Sequence, residues 1–240
     1  MNRSTSFFCI LLLSLAPLAF AQHTSEFFSK ADTFFKEYVK DGLVDYSTIH
    51  ENPGALNELV QMAEKISVSK EDADTYQAFW INGYNLMVIK GIVENYPLKS
   101  PVDIGGFFDE TQRSIGGKEI TLNDIENQLL RKNFPDEPRF HFVLVCGALG
   151  CPPIIDGAYM PSTLDGQLEK QTKMSLNDPD FIRVNGNKVK VSQIFEWYKK
   201  DFTQGGQSIA GFIDRYKSEK LPKNAKLSYY QYDWTLNGME

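Results

Sequence analysis

Apolar positions recur at three- and four-residue spacing through residues 26–39, at Phe27, Phe28, Ala31, Phe34, Phe35 and Tyr38, which predicts an amphipathic helix ending near Gly42. A second helix is predicted over 55–66. A third begins near Ser69, whose hydroxyl is suited to cap it with Asp72 three residues on. This third helix is apolar nearly all round between Tyr76 and Val93, so it is expected to be buried on most faces, yet it carries Asn82, Tyr84 and Asn85. Gly105-Gly106 and Gly116-Gly117 mark loops or a hairpin. Thr121 followed by Asp124 opens a short helix with Leu122, Ile125, Leu129 and Leu130 on one side, and Glu126 shares that side.

The run 140–146, Phe-His-Phe-Val-Leu-Val-Cys, is β-rich and predicts a central strand ending at Gly147. Beyond it, Pro161 starts a helix, Asn185-Gly186-Asn187 turns a hairpin between 181–184 and 188–191, Ser192 and Ser208 each begin a helix, and 227–236 reads as a last strand rich in Tyr. With no internal repeat and no linker, the class is α+β: a single domain over 22–240, with a small central, mostly antiparallel sheet packed with several helices.

Residues 1–21 have a different character. Arg3 is followed by an apolar run over 7–20 and by Ala19-Phe20-Ala21, the small-x-small pattern of a cleavable secretory signal, so export to a periplasmic or extracellular location is expected, with Gln22 as the new N-terminus. The run is shorter than the roughly 20 residues a spanning helix needs, and Pro17 interrupts it. No membrane contact is therefore expected after cleavage. The formal charge of -6, without long single-sign blocks, argues against a nucleic-acid partner and leaves a small molecule or peptide as the expected ligand. Oligomeric state is not legible. Cys9 lies in the leader, so any disulfide of the exported chain must join Cys146 and Cys151.

Several runs together resemble the uncharacterised family known as domain of unknown function 547, found in exported bacterial proteins and fused to other modules in plants and animals. They are Ala78-Phe79-Trp80-Ile81-Asn82-Gly83-Tyr84-Asn85, the stretch from Leu122 to Arg131, Arg139-Phe140-His141-Phe142 running into Cys146-Gly147, and Trp197-Tyr198-Lys199-Lys200-Asp201-Phe202. The resemblance implies a set of positions rather than a reaction. It also implies a His directly after the Ile-Glu pair, where this chain has Asn127, and Ser-Pro where it has Cys151-Pro152.

Cys146 is the first candidate for chemistry, a thiol at the end of the predicted strand before Gly147, which lets the backbone turn and a substrate approach. A catalytic thiol needs a nearby His or helix N-terminus to lower its pKa, and His141 is the available core histidine. In a regular strand the odd offset puts His141 and Cys146 on opposite faces, roughly 17 Å apart, a limit that Cys151 escapes through the Gly147-Ala148-Leu149-Gly150 loop. Glu126, on the apolar side of its helix, needs a partner, for which His141, Arg131 and Arg139 are candidates. Asn82 and Asn85 either orient a His or donate to an oxyanion, or else satisfy core backbone groups. No metal site and no cofactor fingerprint is legible. Trp80 and Trp197 are expected in the core, and Tyr229, Tyr230 and Tyr232 at the surface.

Two functions fit. One is a thiol-dependent acyl hydrolase or transferase, peptidase- or amidase-like, with an architecture analogous to the papain and transglutaminase group. In it Cys146 or Cys151 attacks a carbonyl, His141 and Glu126 manage protons, and Asn82, Asn85 and Gly147 bind substrate. The other is a non-catalytic envelope binding or interaction module in which a Cys146-Cys151 disulfide is structural.

Overall fold

The computed structural model describes residues 16–239, with side chains from residue 22. Most of the predicted leader, including Cys9, lies outside the described residues. No described helix is long and apolar enough to cross a membrane.

The chain begins with helix α1 (Ala16–Tyr38), a two-stranded ribbon of β1 (Val39–Lys40) and β2 (Leu43–Val44), and helices α2 (Tyr46–Glu51) and α3 (Gly54–Lys65). The aromatic stripe of α1 is buried as its spacing predicts, with Phe27, Phe28, Phe34 and Phe35 all in the core. Helix α4 (Ala73–Glu94) is the element around which the others pack: α2, α3 and the segment after Leu122 all contact it, and nearly every residue from Tyr76 to Val93 is buried. Its cap is Asp72, which accepts a hydrogen bond from the Thr75 amide at 3.2 Å. Ser69, expected in that role, instead receives the Glu71 amide in the preceding turn.

The α+β class holds, with small sheets among several helices. Strands β3 (Arg113–Ile115) and β4 (Lys118–Ile120) form the hairpin marked by Gly116-Gly117, both at positive φ. Helix α6 (Leu164–Asn177) follows the Pro161–Thr163 turn and precedes the sheet formed by β5 (Ile182–Asn185), β6 (Lys188–Ser192) and β7 (Lys226–Tyr230). In that sheet β5 is antiparallel and β7 parallel to β6, with Val189 and Val191 turned into the core. Between these strands lie α7 (Ile194–Trp197), α8 (Lys199–Phe202) and α9 (Ile209–Tyr216). Residues 122–131 are mixed: α5 (Leu122–Asp124), capped by Thr121, runs straight into a π-helical segment, Ile125–Arg131.

The predicted central strand over 140–146 does not form. Pro138–Phe142 is a 3-10 turn, and residues 143–146 beyond it belong to no strand. Its apolar residues are buried as expected, but α4 supplies the ladder that a neighbouring strand would have given. The Asn85 amide donates to the Val143 carbonyl at 2.9 Å and accepts from the Val145 N–H at 2.9 Å, imitating a peptide group. Asn82 does the same for Tyr159, donating to its carbonyl at 2.8 Å and accepting its N–H at 3.0 Å.

Candidate functional site

A cleft of about 300 Å³ opens beside the 140–152 segment, and Glu126, His141, Cys146 and Cys151 all line it. The geometric objection to pairing His141 with Cys146 falls with the strand: the 3-10 turn removes the alternation that would have sent them to opposite faces.

Each side chain is placed by a distinct device. His141 lies between Phe140 and Phe142, both fully buried, and Phe142 packs among Phe181, Phe195, Phe202 and Phe212. The ring is only 5 % exposed as a residue and stacks on Tyr198 with centroids 4.0 Å apart. Its Nε2 is 2.8 Å from the Asp201 carboxylate, and its Nδ1 is 3.8 Å from that of Glu126. Asp201 also accepts from Arg131 Nε at 2.7 Å.

Burial alone raises the Asp201 pKa, but the hydrogen bonds and charges of His141 and Arg131 outweigh it and hold the carboxyl well below the usual range. Asp201 is therefore ionised and acceptor-only, so the Nε2–H points at it. In the neutral ring Nδ1 is then the free nitrogen, and it faces Glu126.

The π-helical turn explains how one short segment serves both ends of this network. Glu126 and Arg131 are five residues apart, about 140° around an α-helix, but residues at that offset are hydrogen-bonded neighbours in a π-helix. The Lys132 N–H to Asn127 carbonyl bond, 3.2 Å, has this wider spacing. As a result Glu126 reaches His141 and accepts from the Tyr198 hydroxyl, while Arg131 reaches Asp201 and lies 4.7 Å over the Tyr198 ring. The Tyr198 phenol is pushed far up, by burial first and by the Glu126 charge next. Asn127, in the place of the expected His, turns away to Asn123 and accepts from Arg131.

The sulfurs of Cys146 and Cys151 lie at disulfide distance, with Cα atoms 6.4 Å apart. The Cys146 N–H points at the Cys151 sulfur at 3.0 Å, and the Tyr232 hydroxyl is 2.9 Å from both sulfurs. Burial pushes that phenol far above its usual range, so it is a neutral donor. Cys146 is partly exposed in the cleft and Cys151 nearly buried.

Three expected site residues are not in the cleft lining. Asn82 and Asn85 are 0 % and 2 % exposed and are bound to backbone as described, so no free amide remains for a substrate. Gly147 does make the sharp turn, at φ 80°, but what approaches it is Ile92, Val88 and Tyr46 from the core. Arg139, a suggested partner of Glu126, pairs instead with Glu137 and Asp165.

Conversely, the cleft uses residues that were expected elsewhere. Trp197 is 47 % exposed rather than in the core, and Tyr232 is 5 % exposed rather than at the surface. Both line the cleft with Trp234 and Phe108. Asp201 was not singled out, although its i,i+3 relation to Tyr198 placed the two on one face of a predicted helix. Among the described residues, no group of three or more His, Cys, Asp or Glu side chains is arranged to hold a metal ion.

No curated protein and no solved structure matches the chain. Residues 68–176 match the family model described as "Protein of unknown function, DUF547". This stretch holds Glu126, His141, Cys146 and Cys151, while Tyr198, Asp201, Tyr232 and Trp234 come from beyond it. The match to the DUF547 model over residues 68–176 agrees with the resemblance that the motifs within that stretch carry.

Proposed function

We propose that the chain is an exported thiol-dependent acyl hydrolase or transferase whose nucleophile is Cys146, released when a dithiol reductant opens the Cys146–Cys151 pair. The observation that carries this reading is the convergence in one cleft of a sulfur pair with a histidine that a half-buried aspartate fixes in one tautomer. In the reduced protein the Cys146 sulfur attacks the substrate carbonyl. The thiol proton enters the His141–Glu126 pair and leaves on the departing amine or alcohol, and water or a second nucleophile then breaks the thioester. The Tyr232 hydroxyl and Cys146 amide, which already face sulfur, are donors to a thiolate.

The test is a screen of peptide, amide and ester substrates with the reduced protein before and after complete alkylation. Turnover that appears on reduction and disappears on labelling supports the proposal. Unchanged turnover after labelling, or none before it, sinks it.

The sulfur pairing favours a second reading, an envelope interaction module in which the disulfide is structural. Intact mass with and without reductant separates the two. A pair that resists reduction until the fold is lost supports the module, and a pair that opens in the folded protein supports the enzyme.

A further inference from the structure

The cleft mouth carries a feature that thiol chemistry does not use. Trp197, Tyr232 and Trp234 form a triangle of rings with centroids 5.1, 4.7 and 6.3 Å apart, and Phe108 adds a fourth ring 6.2 Å from Trp234. All four line the same cleft as Glu126. Among the described residues, neither Lys nor Arg lines it.

Ring faces are electron-rich and attract cations, tryptophan most strongly, and a carboxylate lining the same cleft supplies the counter-charge. The geometry points to recognition of a cationic, alkylated amine, its ammonium group over the ring faces that Trp197, half-exposed, and Trp234 present to the cleft that Glu126 also lines.

Two observations favour a cation over a sugar, which also stacks on aromatic rings. A sugar needs a hydrogen-bond partner for most of its hydroxyls, whereas the Tyr232 hydroxyl is committed to the sulfurs and that of Tyr198 to Glu126. Asn123 and Tyr84 add one amide and one hydroxyl, too few to solvate a sugar ring. An alkylated ammonium needs only ring faces and negative charge. The chain's formal charge of -6 also draws cations toward its surface.

As the substrate class of the enzyme, this assignment rests on the thiol reading. As a binding site it does not, and it is tested without turnover on the full chain with its sulfurs paired. Choline and its uncharged carbon isostere, with tert-butyl in place of trimethylammonium, are titrated by calorimetry, with methyl glucoside as the sugar probe.

The expected result is that choline binds about tenfold or more tightly than the isostere. Glu126→Gln and Trp197→Ala should each remove most of that preference, and Trp197 is exposed enough for its replacement to leave the fold intact. Isostere binding within about twofold of choline overturns the proposal. So do stronger binding of the glucoside, a preference that survives Glu126→Gln, and no choline binding at all. Failure of the substrate screen with choline binding intact would refute the thiol reading alone.

Discussion

Asn85 shows how much one side chain can fix. Its amide stands in for a strand neighbour, so that 143–145 is held against α4 without a sheet. Replacing it by Ala leaves a buried carbonyl and a buried N–H without partners, at a cost of about 3 kcal/mol. Denaturant unfolding of Asn85→Ala should show this loss, and the Cys146 region should become more susceptible to proteolysis. A change below about 0.5 kcal/mol, the level of a neutral surface substitution, would mean that the amide is not holding the segment.

Asp201 makes a prediction of a different kind. Its folded pKa is depressed, so the stability it contributes is present above the unfolded carboxyl value of about 3.9 and is lost as pH falls further toward the folded value. Asp201→Asn should therefore cost about 1–3 kcal/mol at neutral pH and flatten the acid limb of the stability profile below about pH 4. Parallel acid limbs for the two proteins would show that the carboxylate is not coupled to His141 and Arg131.

At the level of elements, two backbone features place the chemistry. Gly147 takes φ 80° where the chain leaves the α4 surface, and a Cβ there would run into Ile92. Gly147→Ala should destabilise by at least about 2 kcal/mol, through strain and overpacking rather than loss of a substrate contact. Thermal unfolding reads the first effect. If the variant were as stable as the parent but bound ligand poorly, the glycine would belong to the site after all.

The π-helical turn is the second feature, because it is what lets Glu126 and Arg131 grip opposite ends of the His141–Asp201 pair. Helices α1, α3 and α9 were legible because each has an apolar face of its own, and α4 because it is apolar nearly all round. The 140–146 segment was not, because its β-rich composition reported burial correctly while its pairing depended on Asn85, distant in sequence. The π turn left no local signal, since Leu122, Ile125, Leu129 and Leu130 suit an α-helix equally well.

At the scale of the whole molecule, the cleft is assembled from residues spread between Tyr84 and Trp234. Residues 231–239 return to bridge Leu236 with Ala148, to bond the Leu149 and Gly150 amides, and to place Asn237 against the Tyr46 hydroxyl at 2.8 Å. That strap carries Tyr232 and Trp234. Glu126, His141, Cys146 and Cys151 were legible as single residues, and the fold brings all four together. Tyr232 and Trp234 were hidden because they join the site only through this long-range closure, and Asp201 and Trp197 because α7 and α8 meet the 126–152 region only in the fold. Removing residues after Tyr230 should lower stability by several kcal/mol, about 1 for each backbone bond lost, and leave the sulfurs open to solvent.

The central claim is that Cys146 is the reactive group of this cleft. It is tested most directly by treating the reduced, folded protein with an electrophilic acyl probe and mapping the adduct by mass spectrometry. The account predicts a single adduct on Cys146, formed faster than on the unfolded chain and lost in Cys146→Ser. Adducts that form only after unfolding, or that distribute equally between Cys146 and Cys151, would contradict it.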